Sequence, residues 1–359
     1  AGLSASISRP PGKVRSWSMT DRYVKCTGIL VSIVLLAVMS AVVRADSGEV
    51  PVFGRGKGGL VPLALSMSRP DIPPQRIFDF DRPSTRGRAR TLENSRRRML
   101  GAPAVDTWRT VLVRVSFETD RSGGLTSMRT GGGFDFGSGE GFVIDPPPHD
   151  RAYFESHMEA LDRYFDFQSC GAVDIVWDIL PEGSGDSYTL GDLADYGPGS
   201  GGQWTTEMLV SFVHDAILAC DDALSVLGYP VRLSDYDAIV LAHAGANLQS
   251  DVLGNSPNDI PSFYARLGDT DAIPVEGGSH LITELSVIPE TAIQDGYNGG
   301  IAAVLAHEFG HQLGLPDLYD IYTNQPSIGV FDNMDSGRQL GAWVLDDQGR
   351  EGYIEGFVP

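Results

Sequence analysis

Lysine is nearly absent from this chain of 359 residues, which has three lysines and none after Lys57. Residues 111–359 contain nine arginines and most of the acidic side chains, whereas residues 1–110 are net basic, and the whole chain carries a net charge of −20. Such an acidic body disfavours nucleic acid and anionic membranes as partners. It favours cations, including Ca²⁺, and a basic partner such as the chain's own N-terminal part. An acidic surface that serves only solubility is the alternative.

A long hydrophobic run is also missing. The apolar run at 29–43 falls short of the roughly 20 residues that span a bilayer. Arg22 and Lys25 precede this run, and small residues follow it, which is the layout of a secretory signal peptide. We therefore predict a signal peptide at 19–45 and a secreted protein without stable membrane insertion. We expect residues 1–18 to be upstream sequence outside the native chain.

Cysteine is too scarce for a disulfide-rich scaffold, because the chain has three. Cys26 lies in the predicted signal peptide, so Cys170 and Cys220 remain after export. An oxidising compartment permits a bridge between them. Cys220 also falls on the apolar side of a predicted helix, which is typical of a buried thiol. The sequence leaves both alternatives open.

Regular hydrophobic periodicity is absent from residues 46–105, which are rich in proline, glycine, serine and arginine. This composition predicts an extended, poorly packed segment. The run Arg96-Arg97-Arg98 follows, just before the composition changes. We interpret residues 46–106 as a propeptide or linker and the tribasic run as a processing site. A solvated loop cluster without a processing role is the alternative.

Periodic patterns begin near residue 107, where we place the start of a catalytic domain at 107–359. Alternating or continuous apolar residues predict strands, and apolar residues at helical spacing predict helices. The predicted strands are 110–117, 172–180 and 236–244, and the predicted helices are 151–168, 205–227 and 299–313. Strands that alternate with helices indicate an α/β (α+β) fold with helices packed on a sheet.

The run HEFGHQLGLPD at 307–317 is the strongest chemical signal in the chain. His307 and His311 are spaced so that they share one face of a helix, as two imidazoles must to bind one metal ion. Glu308 is turned about 100° from His307, so it reaches a metal-activated water as a general base rather than the metal. Asn298 is the predicted N-cap of this helix.

A third protein ligand must come from beyond the helix. Gly314 and Pro316 end the helix and reverse the chain, which places Asp317 to supply a carboxylate oxygen. Asp320 lies one helical turn further and is a rival for this role. Three protein ligands and one water form the open arrangement of a catalytic zinc site.

HExxHxxG with a third ligand and a later methionine turn resembles the metzincin zinc endopeptidases. The turn here is FDNMDSG at 331–337, with Met334 as the floor of the metal site. Together with YDAIVLAHAG at 236–245, these motifs resemble the secreted bacterial immune inhibitor A peptidases over residues 107–359. The resemblance implies a twisted sheet with a backing helix and an active-site helix, a propeptide, structural Ca²⁺ and further C-terminal domains. We expect the C-terminal part of this catalytic domain to be incomplete.

The resemblance and the motif together predict a secreted zinc-dependent endopeptidase that acts on proteins or peptides. Some metzincins have a tyrosine two residues after the turn methionine, but this chain has Ser336, so no oxyanion stabiliser is assigned. We predict that the net basic segment at 46–110 is an inhibitory propeptide, which cleavage at or near Arg96-Arg97-Arg98 releases. It has no cysteine that could bind the zinc as a thiolate, so inhibition must come from Asp79, from Asp81 or from steric blockage of the cleft. The alternatives are an inactive binding domain and a zinc hydrolase of a non-protein substrate.

Overall fold

The computed structural model describes residues 52–56, 59–63, 83–99, 105–119, 126–127, 131–139, 142, 144–228, 230–320, 325–345 and 351–357. It divides into two compact units, residues 1–68 and 69–359. In the first unit, β1 (Val52–Gly56) pairs antiparallel with β2 (Gly59–Leu63). The predicted signal peptide lies outside the described residues. In the part of the chain that the structure describes, no helix combines the length and the hydrophobicity that a bilayer crossing requires.

The second unit is built on a large, mostly parallel sheet. Among the described residues, this sheet has nine strands, in the order β12-β13-β11-β10-β6-β3-β4, with β5 beside β3 and β7 beside β10. Strands β4, β3, β6 and β10 run parallel to one another. Strands β8 and β9 form a separate antiparallel pair. The strand bounds are β3 (Asp106–Phe117), β4 (Val173–Leu180), β5 (Tyr188–Leu190), β6 (Ala238–Ala246), β7 (Phe263–Arg266), β8 (Ile273–Val275), β9 (His280–Ile282), β10 (Glu284–Gln294), β11 (Tyr297–Gly299), β12 (Leu340–Leu345) and β13 (Glu351–Phe357).

Helices pack on this sheet and complete the hydrophobic core. Their bounds are α1 (Thr85–Met99), α2 (Arg151–Gln168), α3 (Leu193–Tyr196), α4 (Thr206–Leu227) and α5 (Ile301–Gln312). Asp150 caps α2 by accepting hydrogen bonds from the first backbone N–H groups of the helix, and Gly228 ends α4 in the left-handed conformation. Phe165 of α2 contacts Phe309 of α5, with ring centroids 5.8 Å apart. Helix α2 therefore backs helix α5 from within the core.

The structure confirms the predicted fold class, a mixed α/β body with a mostly parallel sheet, and it contains each strand and helix predicted from residue 107 onward. The extended conformation predicted for residues 46–105 is wrong at α1 (Thr85–Met99), which is helical. Its residues are mostly polar and exposed, so it has no apolar period that would reveal a helix. Of the two alternatives for Cys220, the structure has the buried, free thiol.

Candidate metal centre

Helix α5 carries two of the predicted metal ligands. His307 and His311 lie one turn apart on the same face, with ring centroids 4.9 Å apart, and both side chains are buried. Helix α5 packs against strand β10 and helix α2, so the sheet and the backing helix hold these two histidines in the core.

Backbone carbonyls orient both imidazole rings. The Nδ1 atom of His307 lies 2.7 Å from the carbonyl oxygen of Asn333, and that of His311 lies 2.9 Å from the carbonyl oxygen of Leu315. A carbonyl only accepts, so each Nδ1 must carry the proton and donate it. In the neutral rings the Nε2 atoms therefore keep their lone pairs, which is the tautomer that a metal ligand requires.

Asp317 is brought to the same point by the turn that follows the helix. Gly314 has φ of +92°, a conformation that favours glycine and reverses the chain. The Oδ1 atom of Asp317 then lies 3.3 Å from His307 Nε2 and 3.5 Å from His311 Nε2. Among the described residues, these three side chains form the one group whose ligand atoms all lie within 4.8 Å of one another. Asp320 is exposed and stands outside this group.

The electrostatics of this cluster suit a divalent cation. Burial lowers the pKa of His311, but the carboxylate of Asp317 outweighs this effect and raises that pKa to about 9. Burial opposes ionisation of Asp317, yet the two histidines hold its pKa well below the ordinary value. Within the described part of the chain, no hydrogen bond reaches the buried Oδ1 atom of Asp317. Two imidazole nitrogens and one unsatisfied carboxylate oxygen are a donor set that fits zinc.

Glu308 lies between the two histidines in sequence and is buried beside them. Its negative charge adds to the effect of Asp317 in raising the pKa of His311. Its backbone oxygen accepts a hydrogen bond of 2.9 Å from the hydroxyl of Ser286 on β10. Gln312 donates to the same hydroxyl at 2.7 Å and to the carbonyl of Ile239 on β6 at 3.0 Å. This buried chain of hydrogen bonds anchors helix α5 to the two central strands.

Met334 packs against the helix between the two histidines. A Cβ atom added to Gly310 would lie 2.6 Å from the sulfur of Met334, so this glycine lets the methionine pack directly on the helix backbone. The Met334 backbone carbonyl accepts a hydrogen bond of 2.8 Å from Leu318 N, next to Asp317. Asp335 then holds the turn, since its Oδ2 atom accepts three backbone N–H groups from residues 327–329. The methionine turn thus lies against both helix α5 and the segment that contains Asp317.

The N-terminus of α5 is capped by a residue that sequence reasoning missed. The predicted cap, Asn298, is wrong: it lies in β11, and the N-cap is Gly300, which has no side chain to offer. Instead, Oδ2 of Asp145 accepts a hydrogen bond of 2.8 Å from Ile301 N, the first helical N–H. Asp145 itself has a positive φ of 46°. No local pattern could reveal it, because the partners are 156 positions apart.

A second missed residue is Glu290 of β10, which is buried and joins three parts of the chain. Its carboxylate accepts hydrogen bonds from the backbone N–H of Asp135, from His149 Nδ1 and from the backbone N–H of Gly245. Burial lowers the pKa of His149, but the hydrogen bond and the charge of Glu290 outweigh this and raise it above the ordinary value. Next to Glu290, the hydroxyl of Tyr153 donates to its backbone oxygen. These contacts hold β10 to the end of β6, to helix α2 and to the segments that contain Asp135 and His149.

The fold and the cluster together define the class of protein. A helix that carries His307, Glu308 and His311 on a mostly parallel sheet, with a carboxylate from the following turn, is typical of a metallopeptidase. Residues 267–351 match the model of the family described as immune inhibitor A peptidase M6, catalytic domain, and this segment contains every member of the cluster. The match confirms the resemblance that the sequence motifs predict. No curated protein matches the chain.

Proposed function

We propose that this protein is a secreted zinc endopeptidase, and that His307, His311 and Asp317 hold the zinc ion. The observation that carries this proposal is the convergence of two Nε2 lone pairs and one unsatisfied carboxylate oxygen within 4.8 Å. When bound, zinc acts as a Lewis acid that polarises the scissile carbonyl and makes a water molecule more acidic. Asp320 does not take part in this proposal, because its carboxylate is not part of the group that His307, His311 and Asp317 form.

Glu308 is the general base and acid in this proposal. It takes a proton from the attacking water and later delivers that proton to the leaving amine. Its position next to His307, within the charge environment of His311, is the reason for this assignment. An inactive binding domain would have no need of Glu308, so the retained carboxylate favours an enzyme. A zinc hydrolase of a non-protein substrate would use the same chemistry. Assays with protein and non-protein substrates distinguish it from an endopeptidase.

A structural calcium ion is a further part of this proposal. Asp251 and Asp259 are buried, Asp295 is a neighbour of Asp251, and among the described residues neither of the first two forms a salt bridge. Burial raises the pKa of Asp259 to about 7, with the charge of Asp251 adding to the rise. In the described part of the chain, Asp259 Oδ2, Asn247 Oδ1 and Gln294 Oε1 are buried oxygens without a hydrogen-bond partner. Carboxylate and amide oxygens are the ligands that calcium prefers.

Metal analysis and casein digestion test the proposed function together. We expect one zinc ion per chain, bound calcium, and casein digestion that a zinc chelator abolishes. Zinc without digestion of any protein substrate would favour the binding domain or the hydrolase of a non-protein substrate. A chain that binds no zinc would contradict the metal site itself. Zinc without calcium would contradict the calcium proposal alone.

The N-terminal segment at 46–106 is proposed to inhibit the enzyme before activation. Its excess positive charge lies after residue 82, and residues 46–82 hold five basic and five acidic side chains. These residues would therefore act by steric blockage or through Asp79 or Asp81, at the high effective concentration that a single chain provides. Helix α1 contacts the metal-binding helix, so the test keeps this helix in both forms. We expect a chain that begins at Pro83 to digest peptides faster than one that begins at Asp46. Equal rates would leave residues 46–82 as a linker.

A further inference from the structure

Helix α1 lies directly on the end of the metal-binding helix, backbone against backbone. A Cβ atom added to Gly87 would overlap the carbonyl oxygen of Gln312, the last residue of α5. A Cβ atom added to Gly314 would overlap the backbone nitrogen of Arg88. Each glycine therefore permits an approach that any other residue would prevent. Close backbone approach at both positions indicates a specific, tightly packed contact rather than a loose surface association.

Residues of this segment also donate hydrogen bonds to carbonyls at the C-terminal end of α5. The last carbonyls of a helix have no partner within the helix. Ser84 N donates to the carbonyl of His311 at 2.9 Å, and the hydroxyl of Thr91 donates to the carbonyl of Leu313 at 3.0 Å. Ser84 is buried, and its hydroxyl accepts from Gly87 N at 2.8 Å, which caps α1 itself. Helix α1 and its capping residue are thus hydrogen-bonded to His311, a predicted zinc ligand, and to Leu313, where the turn begins.

Ion pairs attach helix α1 to the starts of two central strands, β3 and β6. Arg90 Nε lies 2.5 Å from Asp106 Oδ1, and Arg90 Nη1 lies 3.0 Å from Asp237 Oδ1. The guanidinium of Arg90 also stacks over Trp108, 4.4 Å from the ring centroid, and Trp108 contacts Phe309 of α5. The half-buried Arg90 therefore connects α1 to the core beneath the metal-binding helix.

We propose that helix α1 is a positioning element of the zinc site and stays docked if the chain is cut at Arg96-Arg97-Arg98. The turn that α1 contacts, from His311 through Gly314, is the turn that delivers Asp317 to the two histidines. Release of the helix frees this turn and shifts the third ligand relative to the first two. This inference rests on the proposed zinc site, but it does not require that the substrate be a protein.

The test uses two substitutions in the full chain, with zinc affinity as the first measurement. Gly87→Ala favours the isolated helix, because alanine is the better helix former, but it prevents docking on Gln312. We expect zinc affinity to fall by at least ~10-fold, the scale seen when groups that support metal ligands are changed. Gly191→Ala is the matched control, since a Cβ atom there meets nothing within 4 Å, and it should leave zinc affinity unchanged.

Thr91 supplies a milder pair of variants that should fold even where Gly87→Ala does not. Thr91→Val removes the hydroxyl that bonds the Leu313 carbonyl, whereas Thr91→Ser keeps it. We expect Thr91→Val to weaken zinc binding and to lower kcat more than it changes KM, and Thr91→Ser to restore both. Unchanged zinc affinity in folded Gly87→Ala and in Thr91→Val would overturn the proposal. If no variant digests casein but Gly87→Ala still loses zinc, the proposed function fails and this inference stands.

Cutting the chain at the tribasic run gives the second measurement. Arg96 and Arg97 are exposed in the last turn of α1, and helix ends fray, so a trypsin-like protease can cut there. After the cut, we expect the fragment that contains α1 to elute with the catalytic domain in gel filtration. The Gly87→Ala fragment should separate from it. A wild-type fragment that separates while the domain keeps its zinc affinity would overturn the proposal.

Discussion

Replacing Glu308 with glutamine should lower peptidase activity by at least ~100-fold, the usual scale for loss of a general base. The amide is nearly isosteric with the carboxylate but does not accept a proton from water. Glu308 is buried beside the cluster and is not one of the three grouped ligands, so zinc should remain bound. The measurements are kcat with a peptide substrate and the zinc content of the same preparation.

Glu207 offers a matched control for this substitution, because it is an exposed glutamate on helix α4. Glu207→Gln removes the same charge elsewhere on the domain and should keep wild-type activity. A zinc-loaded Glu308→Gln protein with activity near wild type would remove Glu308 from the mechanism. Loss of zinc along with activity would instead indicate that Glu308 supports the metal site.

Asp317→Ala should release most of the bound zinc, whereas Asp320→Ala should keep it. The carboxylate of Asp317 is buried with Oδ1 at 3.3 and 3.5 Å from the two Nε2 atoms, so its loss leaves two protein ligands where a catalytic zinc site has three. Asp320 is exposed, and its backbone forms a bridge with Gln325. Metal analysis after dialysis measures the difference.

The two aspartates are controls for each other, since they are three positions apart and undergo the same change. The reverse pattern, with zinc lost only in Asp320→Ala, would assign the third ligand to Asp320. Zinc retained in both variants would mean that neither carboxylate binds the ion. Circular dichroism of each variant shows whether the fold survives, so that zinc loss can be attributed to the ligand.

Much of the metal centre is predictable from sequence because its geometry is local. His307 and His311 are four positions apart, and helical periodicity alone places them on one face. The helix around them follows from its own apolar residues and ends near Gly314. The choice of Asp317 over Asp320 is less local, since it depends on the shape of a turn. Sequence reasoning therefore named both, and the structure brings only Asp317 to the histidines.

Helix α1 shows where prediction from local sequence patterns fails. Its sequence, TRGRARTLENSRRRM, is mostly polar and has no apolar stripe, so periodicity predicts no helix. Its docking depends on Gly87 within the helix, and on the Gly314 turn and the carbonyls at the end of α5, which lie more than 200 positions away. Local propensity contains no information about such partners.

The sequence by itself determined the α/β class, the positions of three strands and three helices from residue 107 onward, and the spacing of His307, Glu308 and His311. These features depend on periodicity and short-range geometry. Only the tertiary structure decided that Asp145 caps the metal-binding helix, that Met334 packs against Gly310 and that α1 holds the turn before Asp317. Each of these contacts joins distant parts of the chain, and which distant groups meet is set by how the whole core packs.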